Sequence, residues 1–449
     1  AYISSESFYM QKKYSNYKLY LLLFLVAAVL NLKFSFSEFG GTYQDYEKGG
    51  GHPYLKTFNN LFASSDECIQ CHGHDTLGIA SVDFAGNDVN VVDHWQSTMM
   101  ANAAKDPFWR AKVSHEVLLL PALKSEIESS CTDCHAPLGF FNAMRNGATE
   151  YTIADMLADS LALDGVSCLA CHQQSDENLA RFFSGQLNID TNHVAYGPYT
   201  SPLVSPMAAQ TGYIPEHGAH IEDAGICGSC HTLITESLDE SGNPLDNSFV
   251  EQATYHEWLN SVYSDQNISC QQCHMPNLGE ESILLAAGYE TVPRSPFFLH
   301  EFAGANVQML KILKDNSDTL GLKATGEQFD HTISQTENML QFNTLQLELS
   351  LVQRTFDTAF FEVHLQNMAG HKFPSGYPSR RAVVQFFVQN DTGDTLFASG
   401  RYNPDYSLVD EDIPYEPHYQ IINQPEQVEI YEMVMVDADQ NFTTILNRA

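Results

Sequence analysis

The chain has 449 residues, of which 43% are hydrophobic and 11% aromatic. That is enough for two or three globular domains and excludes a disordered or coiled-coil polymer. Its 22 Lys and Arg against 56 Asp and Glu give a formal net charge of −34, which excludes nucleic acid as a partner and favours the approach of cations or basic proteins.

The N-terminus reads as an export signal. Lys12, Lys13 and Lys18 precede the apolar run "LYLLLFLVAAVLNL" (19–32), and "SFS" (35–37) supplies small residues after it. Basic flank, apolar stretch and cleavage site in that order predict a signal peptide over residues 1–37. The run is short for a membrane span, although an uncleaved anchor is the alternative. Met10 stands just before the basic flank, so residues 1–9 read as upstream read-through. No later segment is apolar enough for long enough to span a bilayer.

From 38 to about 300 the pattern is helix and loop, interrupted by five short signatures. These are "CIQCH" (Cys68, Cys71, His72), "CTDCH" (Cys131, Cys134, His135), "CLACH" (Cys168, Cys171, His172), "CGSCH" (Cys227, Cys230, His231) and "CQQCH" (Cys270, Cys273, His274). Together they use all ten cysteines. In an exported chain cysteines normally form disulfides, but C-x-x-C-H is the attachment signature of c-type haem. Two thiols add across the two porphyrin vinyl groups, which fixes their spacing, and the adjoining histidine supplies the proximal nitrogen to iron. Structural zinc is the first alternative, yet five knuckles do not divide into closed four-ligand sites. Thioredoxin-like redox pairs are the second, and they are solitary and set near a βαβ pattern that is absent. The reading is therefore five covalently attached haems c.

The signatures fall between residues 68 and 274. Segments of roughly 40 residues cannot bury an adequate core of their own, so the haems are expected to form the core with the polypeptide wrapped around them. Centres sharing so small a volume are close neighbours, and a close row of redox centres conducts electrons.

Each iron has a sixth position, closed by a second ligand for electron transfer or open for catalysis. Beyond the five proximal residues thirteen histidines remain. Local context favours His115, His220, His256 and His300 as distal ligands. His94 and His217 stand behind them, with His193 and His74, whereas His52, His331, His364 and His418 are not expected to be ligands. Methionine is another possible ligand, and Met99 and Met100 in "HWQSTMMANAAKDPFW" are expected on a helix between Trp95 and Trp109. Core packing is the competing role for them.

Helical periodicity is read over 154–165 and 243–264, and two further helices over 304–341. Near 345 the period changes to alternation: Leu345, Leu347, Leu349 and Leu351 share a face, then "AFFEVHLQN", "AVVQFFVQN", "DTLFASG" and "EQVEIYEMVMVD" follow. "NDTGD" with Gly393 is a hairpin turn. Repeated short strands predict an antiparallel β-sandwich. The expected fold is thus α+β: a helix-and-loop multihaem domain over 38–303, a helical buttress over 304–344, and a β-sandwich over 345–449 that is C-terminally incomplete.

On these residues the chain resembles a family of exported bacterial multihaem c-type cytochromes related to the cytochrome c-554 group. The resemblance rests on the five signatures, "WQSTMMANAAKDPFW", "CQQCHMP" followed by "LHEFAGAN", and "AGHKFPSGYPSRR". It implies that His300 and His371 are distal haem ligands, and it places the protein in the periplasm or at the surface of a Gram-negative cell. The family includes carriers and enzymes. The expected function is electron transfer among redox proteins, basic ones included, with a membrane quinol oxidase or an outer-membrane conduit as further partners. One alternative is a nitrite- or hydroxylamine-converting oxidoreductase with one open iron, although no CxxCK variant is present. The other is a structural subunit that stacks copies into a homo-oligomer or filament.

Overall fold

A computed structural model describes residues 58–449 apart from 240–241, 287, 290 and 412–414, together with the backbone of 6–11 and 20–21. The remainder of the expected export signal, and His52, lie outside the described residues. The chain divides into two compact units. Unit 1 comprises 1–37, 340–444 and 448–449, and unit 2 comprises 38–339 and 445–447.

Unit 1 is built from strands. Its N-terminal strands are β1 (Glu6–Gln11) and β2 (Tyr20–Leu21). In unit 2 the elements run α1 (Ser65–His72), α2 (Val91–Gln96), α3 (Pro107–Leu119), α4 (Lys124–His135), α5 (Pro137–Arg145), α6 (Ile153–Ala158) and α7 (Cys168–His172). They continue through β3 (Val194–Gly197), α8 (Val204–Thr211), β4 (Ile214–His217), α9 (Gly225–Gly228), β5 (Leu233–Leu238) and β6 (Pro244–Gln252). Unit 2 then adds α10 (Thr254–Leu259), α11 (Val262–Asp265), α12 (Cys270–His274), α13 (Val307–Asp315), α14 (Ser317–Leu320) and α15 (Gly326–Asn338).

Most of these helices are short, and their starts follow from sequence. Asp106 accepts from the backbone of Phe108 and Trp109 with Pro107 in the first turn of α3. Thr152 with Asp155 and Thr325 with Gln328 form capping boxes that open α6 and α15. The apolar residues of unit 2 fall into several small clusters rather than one core. One gathers Leu61, Phe62, Leu138, Leu161 and Tyr213 around Leu169 and Ala170, the two residues between the cysteines of the third signature. Another joins α13 and α15 through Leu310, Leu313, Phe329 and Ile333, the two helices expected over 304–341.

Two expectations are corrected here. The stretch 243–264 is not helical throughout: Pro244–Gln252 is a strand paired antiparallel with β5, with Thr235 opposite Phe249, and β3 and β4 form a parallel pair. The region 38–300 is therefore not helix and loop alone. Met99 and Met100 do not sit on a helix, because α2 ends at Gln96 and the chain turns until the short 3-10 segment Ala103–Lys105. Asn102 holds that turn by donating to the carbonyls of Gln96 and Thr98.

After a π-helical turn over Met339–Thr344, unit 1 continues with β7 (Leu345–Arg354), β8 (Thr358–Asn367), β9 (Arg381–Val384), β10 (Phe386–Gln389), β11 (Thr395–Ser399), β12 (Ile421–Ile422) and β13 (Glu429–Glu432). One sheet has the order β12-β1-β8-β7, another β11-β10-β2, and β13 pairs with β9. The pairings are antiparallel apart from β1 with β12. On β8 the residues Ala359, Phe361, Val363 and Leu365 are buried and pack with Phe386, Val388 and Phe397 of the second sheet. His364 lies on the opposite, half-buried face, as strand alternation requires.

Candidate functional site

A helical turn explains the C-x-x-C-H spacing. Residues three and four apart lie on one face of a helix, so both thiols and the following imidazole are presented together. The first, second, third and fifth signatures occupy the ends of α1 and α4 and the whole of α7 and α12. The fourth begins in α9 and continues past it, with the His231 amide donating to the Cys227 carbonyl at 2.9 Å.

Three proximal imidazoles are held in the same way. Nδ1 of His135 lies 3.3 Å from the Ala103 carbonyl, Nδ1 of His172 2.6 Å from that of Tyr196, and Nδ1 of His274 2.6 Å from that of Ala303. A carbonyl only accepts, so the proton belongs on Nδ1 and the lone pair on Nε2, the tautomer that metal ligation uses. Burial pushes His135 down to about 4 and lowers His172 as well. Both are neutral at physiological pH, as a ligand must be.

The clearest pairing is His172 with His300. Their rings lie 6.2 Å apart between centroids and within 14° of parallel. Two metal–imidazole bonds of about 2 Å, with each ring centre about 1 Å behind its nitrogen, add up to roughly 6 Å across a metal ion. Nδ1 of His300 lies 3.1 Å from the Phe298 carbonyl, which again assigns the lone pair to Nε2. Burial, reinforced by His172, pushes His300 down to about 3. The residues present therefore fit a bis-histidine haem at the third signature.

The other candidates are spread more widely. His94 is buried and stacks on His331 at 5.1 Å, and its Nδ1 has no hydrogen-bond partner. His331 in turn lies 3.2 Å from the Glu301 carboxylate. His256 lies 3.2 Å from the Thr232 hydroxyl and against the Phe183 ring. Nε2 of His220 lies 2.8 Å from the Gln174 carbonyl. His115 is largely exposed beside Glu116, and His217 is exposed at the end of β4. Met99 packs against the α13–α15 cluster. His371, in unit 1, turns Nδ1 toward the neighbouring Lys372 carbonyl at 2.7 Å.

The cysteines form no disulfides, and among the described residues no group of three or more His, Cys, Asp or Glu could hold a metal ion. Thiols of different signatures meet instead. The thiols of Cys68 and Cys168, of Cys134 and Cys230, and of Cys227 and Cys270 lie near enough to perturb each other's ionisation. Cys230 also raises the Cys171 thiol, after burial, to about 12. The first signature thus adjoins the third, and the fourth adjoins the second, third and fifth. Sequence reading had no signal for this order, because nothing local records contacts a hundred residues apart.

Helical C-x-x-C-H turns with an imidazole free to ligate are the features a c-type cytochrome, a haem-binding protein of electron transfer, requires. Residues 67–173, which span the first three signatures, match the family model described as cytochrome c554 and c-prime, so this segment is consistent with the c-554-related group. Neither the search of curated proteins nor that of solved structures gave a match. Among the described residues no helix is long and apolar enough to cross a membrane.

Proposed function

We propose that the protein transfers electrons through five covalently attached haems c outside the cytoplasmic membrane. The observation that supports this reading is the His172–His300 pair, whose ring spacing suits two ligands of one iron beside an attachment signature. Bound haem supplies the one-electron ferric/ferrous couple. The chain's part is to anchor it through the ten cysteines, ligate it through His72, His135, His172, His231 and His274, and fix the imidazoles of His135, His172 and His274 by carbonyl contacts. His300 is the sixth ligand at the third signature, and His371 serves another iron. His115, His220 and His256 are the remaining distal candidates, with His94 buried and suited to the same task. The C-terminal sheets are read as a β-sandwich. The partners are redox proteins, basic ones included, at the membrane or the cell surface.

Covalent haem content tests the first claim, with five per chain expected from the pyridine haemochrome and the intact mass. His300→Ala should then convert one haem in five from low spin to high spin without loss of covalent haem. A spectrum that stays fully low-spin would remove His300 from the ligand set. His371→Ala is expected to do the same at a second iron, read by electron paramagnetic resonance.

A further inference from the structure

Asp164 closes the 3-10 turn Ala162–Asp164 and is only 4% exposed. Four donors converge on its carboxylate. The backbone amide and hydroxyl of Ser65 donate at 2.8 and 2.9 Å, the Ser167 hydroxyl at 2.6 Å and the Lys323 ammonium at 2.8 Å. Ser65 is the first residue of α1, which carries the first signature, and Ser167 is the N-cap of α7, which carries the third. Lys323 also donates to Asp66 at 2.9 Å and to the Ser65 hydroxyl at 3.2 Å. One carboxylate therefore joins the two attachment helices that carry Cys68 and Cys168.

One carboxylate oxygen accepts from the Ser65 amide and the Ser167 hydroxyl, the other from the Ser65 hydroxyl and Lys323, so an asparagine could keep the first set but would turn an NH2 group toward the second. Burying a carboxylate is costly unless it is paired and hydrogen-bonded, and here it is both. Burial pushes Asp164 up, but Lys323 and the serine donors outweigh that and hold it below the usual carboxylate range. A fixed negative charge in a poorly screened interior favours the ferric over the ferrous state of any haem attached there.

We propose that Asp164 is a positioning residue that clamps the first and third haem-attachment helices together and lowers the reduction potential of that haem pair, with Lys323 as the opposing charge. This rests on the five-haem reading. The sequence gives Asp164 no motif, and its role follows only from the meeting of Ser65, Ser167 and Lys323.

The test is spectroelectrochemical titration of the full haem-loaded protein, with covalent haem counted first. Asp164→Asn keeps one acceptor oxygen, enough for the Ser65 amide and the Ser167 hydroxyl, and removes the charge. It should raise the potential of one or two of the five haems enough to change their oxidised-to-reduced ratio about tenfold at fixed potential, ~59 mV for a one-electron couple. Lys323→Gln should move the same haems in the opposite direction by less, because Lys323 is two-fifths exposed and screened, while Lys323→Arg should leave them in place. Shifts of the same sign in Asp164→Asn and Lys323→Gln, or no shift in either, would overturn the proposal with haem content intact. If Asp164→Asn does not fold, the contrast between Lys323→Gln and Lys323→Arg decides it. Fewer than five haems in the unaltered protein would instead refute the underlying reading.

Discussion

Glu251 illustrates how a single side chain couples this fold to pH. It is buried, accepts from the Thr235 hydroxyl at 2.9 Å, and is pushed up to about 7, first by burial and then by Glu116, against Lys112. An unfolded glutamate titrates at about 4.5. Below that pH both states are protonated. Between about 4.5 and about 7 the folded state retains a proton that the unfolded state has lost, so stability falls as pH rises. Above about 7 the full penalty applies, roughly 3 kcal/mol from the size of the shift. Glu251→Gln should flatten this slope in thermal unfolding across that window and raise stability at its alkaline end. A wild-type-like slope would show that another group carries it. At this scale the five C-x-x-C-H signatures were legible as a pattern, because their spacing is local. The meeting of His300 with His172 was not legible, since 127 residues separate them in the chain. His331 was discounted as a ligand, yet it stacks on buried His94, a neighbourhood that no local pattern encodes.

Among elements, the informative case is the turn around Met99 and Met100. The carbonyl of Met100 accepts from the amide of Val166 at 2.9 Å, and Trp95 Nε1 donates to the Val166 carbonyl at 3.0 Å. This seats the approach to the third signature against the end of α2. Gly165, with φ of 67°, makes the approach possible, because a Cβ there would meet the backbone oxygens of Met100 and Ala101 at 2.7 and 2.5 Å. Gly165→Ala should therefore cost roughly 2 kcal/mol or more. The expected reading is a lower Tm by several degrees, with α7 losing amide-exchange protection first. A helix was expected across Met99 because apolar residues recur there. Asn102, which captures two carbonyls, stops it instead. The strand β6 was misread because a short apolar run fits either period. The turn residues Gly242 and Asn243 before it were the available signal, with Gly242 at φ of 81°. By contrast α15, with its capping box, and β8, with its strict alternation, were legible because local signals and packing agree.

For the whole molecule, charge is the property the sequence gives most directly, and −34 is large for 449 residues. Attraction to a basic redox partner acts across solvent and is screened over about 10 Å at 0.1 M salt. Electron exchange with a basic carrier should therefore slow several-fold between about 0.01 and about 0.15 M salt, measured by stopped flow, while exchange with a neutral mediator should not. A rate indifferent to salt would mean that docking does not use the acidic surface. The order of signatures in space, and the scatter of apolar residues into small clusters, needed the fold to be seen. That order also bears on how the protein is made. Cys68 meets Cys168, Cys134 meets Cys230, and Cys227 meets Cys270. These six cysteines are only partly exposed in the folded chain, so on the five-haem reading cofactor attachment is expected before folding rather than after it. In an oxidising compartment the same neighbours would otherwise form disulfides. A cell unable to attach haem should then accumulate a misassembled chain in which peptides bearing Cys68 and Cys168 are cross-linked to each other.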